Sequence, residues 1–198
     1  MFSHRVIVAV VLASLMALPV LPAHAQDSQL GGKPIAGLCM LSRDQVLAQS
    51  KVGMATDKRM QQLAEQARSD IQKDREPLDK QIQQFQEQAS SLKPADREAR
   101  QKNLQGRMQA LQNKAQVLDK RLRITRAKAM NEIGQKIQPL LDGIYKSHNC
   151  GLLLDRDSVL GGNMANDLTT DVIAALDKKV TSISFSLAPM PKQSQNGK

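Results

Sequence analysis

Residues 85–111 of this chain read FQEQASSLKPADREARQKNLQGRMQAL, and they contain the reversal of a long helical hairpin. Lys93-Pro94 ends one helix, because proline disfavours the helical conformation in the residue that precedes it. Asp96 and Glu98 then place negative charge in the first turn of a second helix, where the helix dipole favours it. The tip of the hairpin is therefore predicted near residues 92–95.

Apolar residues recur every seven positions on both sides of this tip, which is the repeat of a coiled coil. Residues that lie equally far from the turn face each other when the two helices pack side by side. The predicted seam pairs Phe85 with Leu104, Leu78 with Leu111, and Ile71 with Leu118. Such pairs form the core of an antiparallel coiled coil.

The predicted seam also contains weak points. Gln81 is expected to face Met108, and Asp74 to face Ala115, so polar layers alternate with apolar ones. Pro77 lies inside the first helix, where an interior proline costs about 3 kcal/mol unless the helix kinks. We therefore expect the arm to be weakly packed and bendable.

Both helices extend far from the tip. Ser42, with Gln45 three residues later, has the pattern of a capping box at the start of the first helix. At 1.5 Å per residue, the predicted arm, residues 42–148, is roughly 60–80 Å long. We expect one helix over residues 43–91 with a soft point at Gly53, and another over residues 95–147 with an interruption at Pro139.

Two short apolar runs flank the hairpin and predict a small β body at its base. Residues 35–39 and 150–154 lie at matching distances from the tip, so we expect two antiparallel strands. Residues 158–160 are a candidate third strand, since a lone pair of strands needs further strands or another chain to be stable. A closing helix is expected over residues 170–178, capped by Asp167 or Thr169. The predicted fold class is mostly α with a small β body.

Cys39 and Cys150 also lie at matching distances from the tip. They are the two cysteines of the chain, and an even number of cysteines in an exported protein favours a disulfide. We predict a bridge between them. The alternative is a pair of small buried thiols.

The first 25 residues have the pattern of a secretory signal peptide. A short polar start precedes an apolar run over residues 6–21, and Ala23 and Ala25 fit the small-residue site that signal peptidase cuts. The run is shorter than the about 20 apolar residues that span a bilayer, which favours cleaved export over an uncleaved anchor. We predict cleavage after Ala25 and a periplasmic mature protein.

The composition argues against an enzyme with a deep apolar pocket. Three Phe, one Tyr and no Trp in 198 residues provide few aromatic anchors for a large core. His148 is interpreted as a helix C-terminal cap, and Gly161-Gly162 as a turn. The sequence contains no recognisable catalytic set, metal-ligand spacing or phosphate-binding loop, so we predict no enzyme activity, cofactor or metal.

Positive charge is concentrated on the predicted arm. The chain has a formal charge of +9, and loss of the signal peptide removes Arg5 and leaves +8. Residues 42–147 contain 21 basic and 13 acidic residues, so they carry the whole excess. Either this is a solvated helix face, or it attracts acidic clients or lipid head groups. The excess is densest at Lys120, Arg121, Arg123, Arg126 and Lys128, which are the predicted client-binding residues.

The export signal and the lack of aromatic stacking platforms argue against nucleic acid as a partner.

Three short motifs, together with the export signal, the predicted hairpin, its flanking strands and the closing helix, make the chain resemble the OmpH/Skp family of periplasmic chaperones over about residues 34–180. The motifs are Ile35-Ala36, Leu152-Leu153-Leu154-Asp155 and Asp167-Leu168-Thr169 with Asp171-Val172. The resemblance implies a trimer with a small β body and three helical arms, which holds unfolded outer-membrane proteins without ATP.

We therefore predict a periplasmic holdase chaperone for unfolded outer-membrane β-barrel proteins, assembled as a homotrimer. Two alternatives remain open: a structural periplasmic coiled-coil adaptor, and a basic binder of lipopolysaccharide or of an anionic membrane surface. An adaptor binds one folded partner stoichiometrically, whereas a holdase binds many unfolded chains. The predicted divisions are a signal peptide at 1–25, a leader and first strand at 26–41, the arm at 42–148, a second strand and closing helix at 149–180, and a partly disordered tail at 181–198.

Overall fold

The computed structural model describes residues 32–190, so residues 1–31, which include the predicted signal peptide, and residues 191–198 lie outside this range. A long helical hairpin stands on a small β body, which confirms the predicted fold class. The elements are β1 (Leu38–Leu41), α1 (Arg43–Gln49), α2 (Lys51–Gln88), α3 (Pro94–Ser147), β2 (Leu152–Asp155) and α4 (Thr169–Lys179). Two short 3-10 turns, Arg156–Ser158 and Met164–Asn166, connect β2 to α4.

A break at Ser50 divides the first predicted helix into α1 and α2. Ser50 is the N-cap of α2, and its hydroxyl accepts a hydrogen bond from the Gly53 N–H at 3.2 Å. A Cβ atom on Gly53 would lie 1.7 Å from the carbonyl oxygen of Leu47. The soft point predicted at Gly53 is therefore a close approach between α1 and the first turn of α2.

The predicted interruption at Pro139 is wrong, since α3 continues through it, as α2 does through Pro77. Each proline removes one backbone donor, and the helical hydrogen bonds on either side remain. Packing offsets this loss. Leu78, next to Pro77, is 3% exposed, and Leu140 and Leu141, next to Pro139, pack against the core of the body.

The two strands run parallel, whereas the sequence predicted an antiparallel pair. Leu38 pairs with Leu152, and Leu41 pairs with Asp155. The prediction assumed that each strand continues the direction of the helix beside it. After α3, however, the chain turns at Asn149, whose φ is 53°. As a result β2 starts beside the start of β1 and follows its direction.

The third strand predicted over residues 158–160 is also wrong. Within the described residues the sheet has two strands, and Arg156–Ser158 form a 3-10 turn instead. The Asp155 carboxylate accepts a hydrogen bond from the Asp157 N–H at 3.1 Å, which turns the chain away from the sheet. Leu160 is consequently fully exposed.

The core of the protein lies in the body, where α1 and α4 pack against the proximal ends of α2 and α3. Its most buried side chains are Val46, Val52, Ile133, Leu168, Val172 and Leu176. The Cys39–Cys150 disulfide joins β1 to the turn after α3, with a Cα–Cα distance of 5.8 Å, as the sequence predicted. Among the described residues, no helix is both long and apolar enough to cross a membrane.

Hydrogen bonds close α4 onto β1. The Leu168 N–H donates to the carbonyl of Met40 at 2.8 Å, and the Ser42 N–H donates to Thr169 Oγ1 at 2.9 Å. Asp167 accepts from the Thr169 N–H at 2.9 Å and pairs with Arg156 at 2.8 Å. The N-cap residue of α4 is Leu168, which has no side-chain cap hydrogen bond, so the cap predicted at Asp167 or Thr169 is wrong.

Candidate functional site

The predicted seam residues lie along the interface between α2 and α3, and they differ in burial. Leu78 is buried, whereas Ile71, Phe85, Leu104, Leu111 and Leu118 are half-buried. Leu78 and Leu111 line one cleft between the helices, of about 320 Å³. Phe85 and Leu104 line a second, of about 450 Å³, nearer the tip. Both members of two predicted pairs therefore line a shared cleft between the helices.

Basic residues of α3 bridge the polar layers of the seam. Gln81 accepts a hydrogen bond from Arg107, and Asp74 forms an ion pair with Lys114. The sequence had placed Met108 and Ala115, the next residues along α3, opposite these positions. Polar contacts therefore stand where the sequence predicted Met108 and Ala115 to face α2. As a result, apolar and charged side chains lie next to each other along the arm.

The five basic residues predicted to bind clients have different environments. Arg123 pairs with Asp119 at 2.9 Å, and Arg126 pairs with Asp57 of α2 at 3.2 Å. Lys120 and Lys128 are exposed, and within residues 32–190 neither forms an ion pair. The fifth residue, Arg121, donates to the C-terminal segment instead. Lys120 and Lys128 are therefore the members of the group with charge left for a partner.

Residues 181–190 follow α4 as an extended segment that reaches both arm helices. Arg121 Nε of α3 donates to the carbonyl of Ala188 at 2.7 Å, and Arg59 Nε of α2 donates to the carbonyl of Phe185 at 3.4 Å. The Ala188 N–H in turn donates to Thr125 Oγ1 at 2.8 Å. Ile183, Phe185 and Leu187 alternate with serines in this segment, for which the sequence predicted only a partly disordered tail over residues 181–198.

His148 is the C-cap residue of α3, in agreement with its interpretation from the sequence. Its Nε2 atom lies 3.0 Å from a carboxylate oxygen of Asp171 in α4. The described part of the chain contains no cluster of His, Cys, Asp and Glu that would hold a metal ion. The imidazole therefore links α3 to α4 at the surface of the body.

Comparison with known proteins identifies the family. The sequence model of the family described as outer membrane protein (OmpH-like) matches residues 38–176. The chain belongs to the OmpH-like family. The match covers β1, both arm helices, β2 and most of α4, so the OmpH-like unit includes the body and the arm. Membership supports a chaperone role, and the OmpH-like chaperones are not enzymes.

A solved structure gives the same result. The crystal structure of a candidate outer membrane chaperone (OmpH-like) from Caulobacter crescentus CB15 is 26% identical, with a TM-score of 0.76. The likeness covers 86% of this chain and 99% of that chain. No curated protein shows a significant match to the sequence. Residues 181–190 lie beyond the part that the OmpH-like family model matches.

Proposed function

We propose that the mature protein is an ATP-independent periplasmic holdase that binds unfolded outer-membrane β-barrel proteins and prevents their aggregation. The observation that carries this proposal is the surface of the arm. The half-buried apolar side chains of the two clefts lie beside long cationic side chains: Leu111 beside Arg107 in one cleft, and Phe85 and Leu104 beside Arg100 in the other. Such a surface offers many weak apolar and charged contacts to an extended chain, and the stems of Arg and Lys add apolar area.

The charge of the arm supports a two-step capture. Long-range attraction raises the encounter rate with acidic segments over about 8–10 Å at physiological salt. Short-range contacts with the clefts then hold the client. Each contact is weak, so the total affinity comes from several contacts made at the same time.

A homotrimer is part of the proposal, and the surface of the body supports it. A two-stranded sheet is marginal on its own, and the body exposes large apolar side chains at Ile35, Leu152 and Leu160. A groove of about 470 Å³ between α1, α3 and β2 adds to this apolar surface. Its aliphatic lining includes Leu41, Val46, Leu47, Met130, Ile137 and Leu153. Further copies of the chain are the partners that we propose for these surfaces, with a mass of three chains expected by light scattering.

The periplasm is the proposed location, because the first 25 residues have the signal-peptide pattern and the family match indicates an outer-membrane chaperone. The intact mass of protein released from the periplasm checks cleavage after Ala25. Protein recovered from the membrane fraction with residues 1–25 still attached would contradict it.

Dilution of a denatured outer-membrane β-barrel protein into buffer without nucleotide tests the function. We expect light scattering to be suppressed at a molar excess of the chaperone, whereas bovine serum albumin at equal mass has no effect. Binding of one folded partner with no effect on aggregation would support the adaptor alternative. Binding to lipopolysaccharide vesicles alone would support the lipid-binding alternative.

A further inference from the structure

The segment 181–190 has the pattern of a half-buried β-strand. Ile183, Phe185 and Leu187 are half-buried, whereas Ser182, Ser184 and Ser186 between them are exposed. Successive side chains of an extended chain point to opposite faces, so one face of the segment is apolar and the other polar. Strands of transmembrane β-barrels alternate in the same way.

The arm binds this segment largely through its backbone. Arg59 and Arg121 donate to the carbonyls of Phe185, Leu187 and Ala188, and Thr125 accepts from the Ala188 N–H. These contacts come from both helices, since Arg59 lies in α2 and Arg121 and Thr125 lie in α3. Every polypeptide carries the same backbone groups, so these contacts select an extended conformation and not a particular sequence.

The apolar contribution comes from two parts of the segment, because Ile183 packs against the core of the body and Ala188 is buried on the arm. Ala188 is 6% exposed, and Thr125 is buried beside it. The arrangement therefore combines fixed donors for carbonyl groups with a surface that half-buries every second side chain. We call the surface formed around Arg59, Arg121 and Thr125 the strand site.

We propose that the strand site binds extended client segments in which apolar residues alternate with polar ones, and that residues 181–190 occupy it as an internal competitor. This rests on the proposed holdase function and specifies which client segments the arm selects. Since the segment is tethered to α4, its effective concentration at the site is in the millimolar range. A client therefore has to displace it, and weakly alternating chains are rejected.

The test uses the full mature chain with three substitutions, Ile183→Ser, Phe185→Ser and Leu187→Ser. These remove the apolar face of the segment and leave its length unchanged. Because Ile183 also packs against the core of the body, thermal unfolding checks that the variant stays folded at the temperature of the binding assay. The matched control carries Ser182→Ala, Ser184→Ala and Ser186→Ala on the exposed face. The probe is a fluorescent peptide with the sequence of residues 181–190, TSISFSLAPM, and a second peptide has the same composition without the alternation.

We expect the triple-serine variant to bind the probe at least tenfold more tightly than wild type, because its own segment no longer competes. The control variant should match wild type, and the peptide without alternation should bind at least tenfold more weakly than the probe. Arg121→Gln added to the triple-serine variant should weaken probe binding about tenfold, with circular dichroism confirming unchanged helix content. Equal probe affinity for wild type and the triple-serine variant overturns the proposal.

Displacement by a client separates this inference from the proposed function. A denatured outer-membrane β-barrel protein should displace the probe from the triple-serine variant. If it fails to do so while aggregation is still suppressed, the holdase function stands and the segment is a structural strap, so the inference is overturned. If no variant suppresses aggregation although the probe binds, the proposed function fails and the strand site serves the segment alone.

Discussion

Two buried threonines on the arm differ in how their hydroxyl groups are paired. Thr56 is 1% exposed, and within residues 32–190 its Oγ1 has no hydrogen-bond partner. Thr125 is 2% exposed, but its Oγ1 donates to the carbonyl of Arg121 and accepts from the Ala188 N–H. A buried hydroxyl without a partner costs about 1–3 kcal/mol, whereas a paired one does not.

We expect Thr56→Val to raise the free energy of unfolding by about 1 kcal/mol, because valine has the same shape and no unpaired hydroxyl. Thr125→Val is the matched control and should lower it by about 1–2 kcal/mol, since it leaves the Ala188 N–H without its acceptor. Urea denaturation of both variants measures the changes. Destabilisation by Thr56→Val would show that its hydroxyl is paired in the native protein.

The disulfide between Cys39 and Cys150 also contributes to the stability of the fold. Cys39 and Cys150 close a loop with a sequence separation of 111 residues. In the chain-entropy model, a loop of this length stabilises the fold by about 4–5 kcal/mol at most, by restricting the unfolded chain.

We expect the double variant Cys39→Ala, Cys150→Ala to unfold at a lower guanidinium concentration, with a loss of up to about 4–5 kcal/mol. Addition of dithiothreitol should destabilise wild type and leave the double variant unchanged, which controls for effects of the reductant. Thiol titration of the unfolded, unreduced wild-type protein should find no free thiols. Two free thiols per chain would contradict the bridge.

At the scale of the elements, the junction between α1 and α2 depends on a residue without a side chain. The first turn of α2 packs so closely on the end of α1 that Gly53 faces the Leu47 carbonyl directly. Gly106 in α3 has nothing within 4 Å of the equivalent position. The two glycines therefore have opposite roles, one required by packing and the other a weak point of its helix.

We expect Gly53→Ala to destabilise the protein by about 2–3 kcal/mol, because the new methyl group forces α1 and α2 apart. Gly106→Ala should stabilise it by about 0.5–1 kcal/mol, since glycine is unfavourable in a helix interior. Thermal unfolding followed by circular dichroism compares the two. Equal effects of the two substitutions would mean that the junction at Ser50 relaxes freely.

The charge of the molecule is distributed unevenly between the arm and the body, and this distribution is expected to set how fast clients associate. The arm carries the excess of basic residues, and Lys120 and Lys128 are exposed on α3. Arg121 belongs to the same group in the sequence but binds the segment after α4. A test of the charge should therefore leave Arg121 unchanged.

Neutralising Lys120, Arg123, Arg126 and Lys128 to Gln should lower the association rate with an unfolded outer-membrane protein about tenfold at 0.1 M salt. The difference from wild type should vanish near 1 M salt, where the Debye length falls from about 10 Å to about 3 Å. Stopped-flow fluorescence measures the rates. The control is a variant with four exposed lysines changed to Gln that lie before β1, in the last turn of α3 and in the last turn of α4: Lys33, Lys146, Lys178 and Lys179. If the association rate depends neither on salt nor on the four arm substitutions, the basic residues of the arm are only solvated and do not attract clients.

The sequence by itself predicted the features that follow from short-range or periodic patterns: the two long helices, their reversal and the disulfide. The heptad pattern and Lys93-Pro94 were enough to predict two long helices and their reversal, because coiled-coil packing repeats a short rule along its whole length. The same rule placed Cys39 beside Cys150, and the disulfide agrees. These predictions depend on neighbours a few residues apart, or on a simple symmetry about the tip.

Tertiary structure alone decided the features that depend on turns and distant contacts. The strands are parallel because the chain turns at Asn149 after α3, and the symmetry about the tip does not contain this turn. The segment 181–190 shows alternation in its sequence, but its partners Arg59, Arg121 and Thr125 lie more than 60 residues away. The alternation of apolar and polar residues shows which face of a segment is apolar. Which surface covers that face depends on how the helices pack in the folded protein.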